Sequence, residues 1–215
     1  MINFEFLLEE QSAKEALEII LPKIIPPDRA SFSLHGFNGK GDLLRKLERR
    51  LTGYRAWIND SYKIIILIDS DNDDCHALKH QMEQLCRNAN LFTKTYKNHD
   101  NSFSSITRIA IKELESWFLG APYAIKAAYP RVPEKTISRL NSLNPDTIKR
   151  KPSTMLLSCL QDGGYYKIAY LPKVEVAKNI SLHMDPMHNR STSFKVFIKA
   201  ITDFFSEDAN QLNLF

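Results

Sequence analysis

Lys63-Ile-Ile-Ile-Leu-Ile-Asp69-Ser-Asp71-Asn-Asp73-Asp74 sets a continuous aliphatic run directly against four aspartates in six positions. A run rich in β-branched residues and bounded by polar residues reads as a central parallel strand, buried on both faces. It ends abruptly at Asp69. Leu78, Met82 and Leu85 then recur at helical spacing, so the aspartates occupy a loop between a strand and a helix.

The same unit precedes it twice. Ile2, Phe4, Phe6 and Leu8 alternate with Asn3, Glu5, Leu7 and Glu9, as in a strand with one strongly apolar face. Ser12-Ala-Lys-Glu15 has the form of a capping box opening a helix through Leu17, Ile20 and Leu21, which leaves Glu9 and Glu10 in the turn between. Pro26-Pro27 closes that unit, and Ala30 to Phe37 is a second strand before an amphipathic helix from about Asp42 to Leu51. Leu91 to Tyr96 and Ser105 to Ile111 are further strand candidates. After Ile111 proline-separated helical segments take over. The expected fold is α/β, a mostly parallel sheet with helices on both faces, followed by a mainly α-helical C-terminal part that packs on it. The expected division is 1–118 and 119–215.

Composition removes several classes. The 215 residues are 43% hydrophobic and 25% charged, which places the chain with globular proteins and away from disordered ones. A net charge of +4 permits an anionic partner without demanding one. Cys75, Cys86 and Cys159 show no CxxC spacing, against a zinc ribbon or disulfide framework. The expected compartment is reducing. The start lacks a signal-peptide pattern, and Ile64 to Ile68 is far shorter than the roughly 20 residues of a membrane span, so a cytoplasmic protein is expected.

In open α/β sheets the functional crevice lies beyond the carboxyl ends of the strands. Two such ends carry acid here, at Glu9-Glu10 and at Asp69-x-Asp71, and Glu113 and Glu115 follow a third. Crowded carboxylates repel unless a cation lies among them, and oxygen donors suit a hard cation. The expected metal set is therefore Glu9, Glu10, Asp69, Asp71, Asp73, Glu113 and Glu115, with Mg²⁺ or Mn²⁺ as cofactor. Helix capping is the plainer account of one or two of the aspartates, and ordinary first-turn acids that of Glu113 and Glu115.

An EF-hand is excluded, because Asp74 stands where the turn requires Gly and His80 where a bidentate Glu is needed. His76 and His80 lack the glutamate of a zinc protease, and His35 to Asp42 misses both the first Gly and the Ser or Thr of a P-loop. Gly39-Lys40 can still hold a phosphate through backbone amides at the start of a basic helix. Lys40, Arg45, Lys46, Arg49 and Arg50 are thus candidate nucleic-acid contacts, against the alternative of a solvated helix face. Near the C-terminus, Ser191 or Ser193 is expected to cap a helix, leaving Asn189 and Arg190 to touch phosphate or bridge to the acidic edge.

With these residues in view, the chain resembles the Toprim fold of primases, type II topoisomerases and OLD-type nucleases, in which a glutamate after the first strand and an Asp-x-Asp after a later one bind magnesium. It looks more narrowly like an uncharacterised bacterial Toprim-like family. The patterns that carry this are Leu8-Glu-Glu-x-Ser12, Gly39-Lys40, Leu67-Ile-Asp-x-Asp71, Glu113-Leu-Glu-x-Trp117 and Asn189-Arg-Ser-x-Ser-Phe194. One departure is that Glu10 stands where Toprim glutamates are usually followed by Gly. The resemblance implies a Mg-dependent nuclease acting on DNA or RNA, with Glu9, Asp69 and Asp71 catalytic, encoded beside a separate ATPase and serving phage defence. The competing expectation is a non-catalytic metal- or nucleotide-binding regulatory partner of an ATPase.

Overall fold

In the computed structural model the described residues are 1–211, with side chains described through Phe205. Strands β1 (Ile2–Leu8), β2 (Ala30–Gly36), β3 (Tyr62–Asp69) and β4 (Ser105–Ala110) form one all-parallel sheet in the order β2-β1-β3-β4. Helices α1 (Gln11–Ile20), α2 (Lys40–Arg55) and α3 (Cys75–Asn88) follow the first three strands. The chain moves outward from β1 to β2 and then crosses back to β3, so strand order reverses between β1 and β3. The carboxyl ends of those two strands flank the switch point, where open sheets place their sites.

Alternation assigns the two faces. Phe4, Phe6, Leu8, Ile65 and Leu67 pack with Ala13, Ala16, Leu17 and Ile20 of α1, while Leu7, Ile64, Ile66 and Ile68 pack with Leu43, Leu47 and Leu51 of α2 and Leu78, Met82 and Cys86 of α3. The β3 run is thus buried on both sides, as its composition requires. Three expectations need correction. Leu91 to Tyr96 makes only the single bridge of Thr93 to Ser105, because Tyr96 and Thr93 hydrogen-bond each other in a turn. α2 begins at Lys40 and runs to Arg55, longer at both ends than its leucine spacing suggests. The capping box does not form: α1 starts two residues early, with Glu10 at its N-cap in place of Ser12, so Ser12 sits inside the helix and donates to Glu10 Oε2 (3.3 Å). Glu15 instead accepts from Gln11 and pairs with Lys178.

The C-terminal helices are α4 (Glu115–Leu119), α5 (Pro122–Ala128), α6 (Glu134–Asn141), α7 (Pro152–Asp162), α8 (Lys173–His183) and α9 (Thr192–Gln211). They cover the α1 face, and one apolar cluster runs from Phe4 and Phe6 of the sheet to Phe194, Phe197 and Ile201 of α9. No helix among the described residues is long and apolar enough to cross a membrane.

Two sequence patterns 70 residues apart close on each other in this layer. The fully buried Trp117 indole donates to Ser193 Oγ (3.0 Å) and stacks edge-on against Phe194, with ring centroids 5.0 Å apart. Asn189 Nδ2 donates to the Trp117 carbonyl (2.8 Å), while Asn189 Oδ1 accepts from Ser191 N (2.8 Å). Ser191 caps α9 by accepting from Phe194 N (3.1 Å), as its position suggests. Asn189 therefore fastens the start of α9 to α4 and is not a surplus surface group. The fit leaves no room at Gly120, where an added Cβ would meet Asn189 Oδ1 at 2.3 Å and Ser191 N at 2.9 Å. Gly120→Ala, which elsewhere at a helix end would be neutral or favourable, is expected to destabilise by about 1–3 kcal/mol through overpacking. Urea unfolding measures this, and unchanged stability would show that the clasp yields.

Candidate active site

Glu9 is the pivot. Its carboxylate accepts the Asp69 backbone N–H on Oε2 (2.8 Å) and the Lys40 backbone N–H on Oε1 (3.1 Å), joining the end of β1 to β3 and to the start of α2. Glu10 points elsewhere, accepting from Ser12 and from Lys173 Nζ (3.1 Å). Glu9 is the buried member of the pair, and it alone ties the strand ends together.

The loop after β3 divides its aspartates by task. Asp74 caps α3, accepting from Ala77 N (2.7 Å), which satisfies the capping requirement with one residue. Asp69 turns into the protein and is buried. Asp71 and Asp73 stay exposed and both hold the Lys40 ammonium, at 2.8 and 2.7 Å, while that group also donates to the Ser70 carbonyl (3.2 Å). Asp71 and Lys112 have φ of 50° and 62°, a left-handed conformation uncommon outside glycine. The Asp71 N–H donates to the Lys112 carbonyl (2.6 Å) and Lys112 N donates to Ser70 Oγ (2.7 Å), so these two loops brace each other beyond the strand ends. Strain of this kind is retained where surroundings over-determine it.

From the loop after β4, Glu115 opens α4 and lies buried, with Oε2 lacking any hydrogen-bond partner among the described residues. Glu113 is buried too but is committed elsewhere: it accepts from Ser153 N (2.8 Å) and Ser153 Oγ (3.2 Å) at the start of α7 and pairs with Lys151 (3.3 Å). It is an anion at a helix N-terminus. Lys173, at the start of α8, lies 3.1 Å from Glu10, 3.6 Å from Glu115 and 3.8 Å from Glu113. Neither Lys173 nor Lys151 stood out in the sequence. Each is an ordinary lysine beside a helix start, and only the packing of the C-terminal helices onto the sheet edge brings it to the acids.

Burial, with Glu115 and Glu9 as like-charged neighbours, pushes Asp69 well above the usual carboxylate range, opposed by the Leu114 amide and Lys173. Burial raises Glu9 as well, against the stabilising Asp69 amide. Glu115 is lifted by burial to about 7, with Lys173 opposing. Burial works against charge on both lysines, yet the facing carboxylates outweigh it and leave Lys40 and Lys173 raised. Among the described residues, no three His, Cys, Asp or Glu side chains converge closely enough to hold a metal ion. The donor chemistry nonetheless suits a hard cation: Glu9, Asp69 and Glu115 offer only oxygen, and one buried Glu115 oxygen is unpartnered.

The basic residues divide likewise. Lys40 lies at the acidic edge. Arg45 and Lys46 pair with Asp42 within α2 (2.6 and 2.8 Å), and Arg50 reaches His35 Nδ1 (3.0 Å). Arg49 is exposed without an ion-pair or hydrogen-bond partner among the described residues. Arg190 is not brought to the acids: its guanidinium donates to the carbonyls of Leu140, in the last turn of α6, and Leu143, just past its end, and its own N–H donates to the Gly120 carbonyl. The expected bridge to the acidic edge is replaced by a helix C-terminal tie.

A carboxyl with a raised folded-state pKa binds a proton that the unfolded chain has released. Its stabilising contribution is full below the unfolded value of 4.5 and is lost as pH rises through about 7. In chelator, stability is expected to fall across that window, and Glu115→Gln to remove roughly 1–3 kcal/mol of the fall. Urea titrations at a series of pH values check this. An identical profile in the variant would mean that Glu115 ionises freely.

No curated protein and no solved structure is detectably similar to the chain. A model for a domain of unknown function, DUF4276, matches residues 8–202, a span that takes in Glu9, the Asp69–Asp74 loop, Glu115, Lys173 and the Asn189–Phe194 clasp, and the chain belongs to that family.

Proposed function

We propose that the protein is a divalent-cation-dependent phosphodiesterase acting on DNA or RNA, with Toprim-like chemistry and Mg²⁺ or Mn²⁺ as cofactor. One observation carries this reading: Glu9, Asp69 and Glu115, from the ends of three parallel strands, share a buried edge at the switch point with an unpartnered oxygen. Structure alone gives no reason to bury three acids together, since each costs desolvation and repels the others. A bound cation would lower the pKa of an attacking water and stabilise charge on the phosphate.

The chain's own residues supply the rest. A divalent cation would take its oxygen donors from Glu9, Asp69 and Glu115, drawn closer together than they stand without it, with Asp71 at the rim. Glu9, whose pKa burial raises, is the carboxylate suited to accept a proton. Lys40, on the phosphate-accessible side of the Asp71–Asp73 loop, exchanges a carboxylate for a backbone phosphate when substrate arrives, and the bases of α2 extend that contact. The absence of a P-loop in the sequence leaves ATP hydrolysis to a separate ATPase partner, which fits an effector of phage defence.

A second reading is favoured by the two lysines. Lys40 and Lys173 already neutralise much of the edge, and an edge balanced by ammonium groups serves a regulatory partner of an ATPase without catalysis.

Asp71→Asn separates the two. Asn tolerates the left-handed conformation at this position, and Asp74, not Asp71, is the helix cap, so the variant is expected to fold normally. Metal-dependent cleavage of a mixed-sequence oligonucleotide is expected to fall on the order of a hundredfold in Asp71→Asn and further in Asp69→Asn. Mn²⁺ at about a hundred times its Kd should stabilise the wild type by about 2.7 kcal/mol and each variant by less. Full cleavage and full metal-induced stabilisation in both would remove Asp69 and Asp71 from the site, and neither cleavage nor metal-induced stabilisation in the wild type would defeat the phosphodiesterase reading. Metal stabilisation without cleavage, even with the ATPase present, would establish the regulatory one.

A further inference from the structure

The outer face of β2 on the α2 side carries no covering helix. α2 crosses β1 and β3, and the space beside it is a cavity of about 720 Å³ walled by Glu5, His35, Phe37, Arg49, Tyr54 and Trp57. Its floor holds a carboxylate in the middle of a sheet. Glu5, on the central strand β1, has a side chain only 13% exposed, and one oxygen takes two donors: Oε2 accepts from His35 Nε2 (2.7 Å) and Tyr54 Oη (2.9 Å). Its other oxygen, Oε1, has no partner among the described residues. His35 donates at Nε2 and accepts from Arg50 at Nδ1 (3.0 Å), so the whole floor is fixed by hydrogen bonds.

The walls combine aromatic and cationic residues, and the Arg50 guanidinium lies over the Tyr54 ring, 5.4 Å from its centroid. Trp57 is 56% exposed, a large apolar surface left open, yet its ring is held edge-on against Tyr62 (5.0 Å between centroids) and tilted against Tyr54 (5.6 Å). On the same lining Arg49 is unpaired and exposed, and Lys46, paired with Asp42, lies nearby in α2. Gly53 lies in α2 between Arg49 and Trp57, and a Cβ there would meet nothing within 4 Å. Gly53 is the third residue from the end of α2, where glycine still lowers helix stability, and its missing side chain leaves the cavity open.

We propose that this cavity seats a nucleotide unit: its base against Trp57 and Tyr54, a base N–H on Glu5 Oε1, and its phosphate on Arg49. A fixed aromatic face, one free acceptor and an unpaired guanidinium match the three chemical parts of a nucleotide. Two adjoining hollows extend the cavity. The first, about 440 Å³, shares His35, Phe37, Lys46 and Arg50 with it, and the second, about 330 Å³, reaches Gly39, Glu10 and Lys173 at the acidic edge. Along β1 the distance from Glu5 to Glu9 is about 13 Å. The unit therefore belongs to a single strand lying in this trough, the seat holding one base while the backbone passes toward the acids. The path to the acids rests on the phosphodiesterase reading; the seat does not.

The chain's two tryptophans allow a direct test, because Trp57 is exposed and Trp117 fully buried. In EDTA, the full-length protein is titrated with a single-stranded oligonucleotide of about ten nucleotides, its duplex, and a nucleoside monophosphate, following tryptophan quenching and calorimetric binding. The single strand is expected to quench Trp57 and bind more tightly than the duplex. Trp57→Ala and Gly53→Leu are each expected to weaken calorimetric binding about tenfold or more, with Gly53→Leu melting no lower than the wild type. Equal sensitivity to both variants with the monophosphate alone would assign the seat to free nucleotide and remove the strand. Wild-type affinity in both variants, or no binding by the wild type, would overturn the proposal. In the wild type, an intact seat with no metal-dependent cleavage counts against the phosphodiesterase reading and leaves the seat standing, whereas cleavage with no seat counts against this inference alone.

Discussion

Three buried carboxylates at one end of a parallel sheet impose an electrostatic debt on everything around them. Glu9 meets it by accepting two backbone N–H groups, which converts a repulsive charge into the joint between β1, β3 and α2. Lys173 faces Glu115 at 3.6 Å, and Lys40, held by the exposed Asp71 and Asp73, attracts Glu9 at longer range. Hydrogen bonds to a charged acceptor are among the stronger ones, so this edge is both the most costly part of the molecule and the part that fixes its geometry. The left-handed Asp71 and Lys112 are where the backbone bends to accommodate it.

That arrangement makes the C-terminal helices part of the site. Trp117 and the Asn189-to-Phe194 segment lock α4 in place, and α4 begins with Glu115. Residues that read as candidate phosphate contacts serve instead to hold a carboxylate where it faces Asp69. Arg190 works the same way, closing the end of α6 beside the clasp. The pairing of Glu113 with α7 adds a third tie between the edge and the helical layer.

Helix α2 links the edge to the rest of the surface. Its first residue, Lys40, belongs to the acids, and its later residues Arg49, Gly53 and Trp57 just beyond it line the uncovered side of β2. A four-stranded sheet with two helices on that face leaves one edge strand bare, and the polar network of Glu5, His35 and Tyr54 makes the bare strip compatible with water. The basic character of the helix is thus divided: Arg45 and Lys46 answer Asp42, Arg50 anchors the network, and Arg49 alone is unspent.

Local pattern carried the fold a long way. The Ile64 to Ile68 run, the alternation in Ile2 to Leu8 and the leucines of α2 each impose a period that only one element satisfies, and together they specify a parallel sheet with helices on both faces. The acids at Glu9, Asp69 and Glu115 were legible for the same reason, because a strand end has a fixed place in such a sheet. Leu91 to Tyr96 was misread because its apolar residues carry no information about the Thr93–Tyr96 turn. The burial of Glu9 with Glu10 turned to Lys173, the commitment of Glu113 to α7, and the arrival of Lys173 and Lys151 appear only in three dimensions. These depend on contacts between residues tens to more than a hundred positions apart, and a lysine has no periodicity by which to announce its partner. The Glu5 cavity belongs with them: in the sequence Glu5 is simply the polar half of an alternating strand, and only the path of α2 across the sheet decides that it faces an open space.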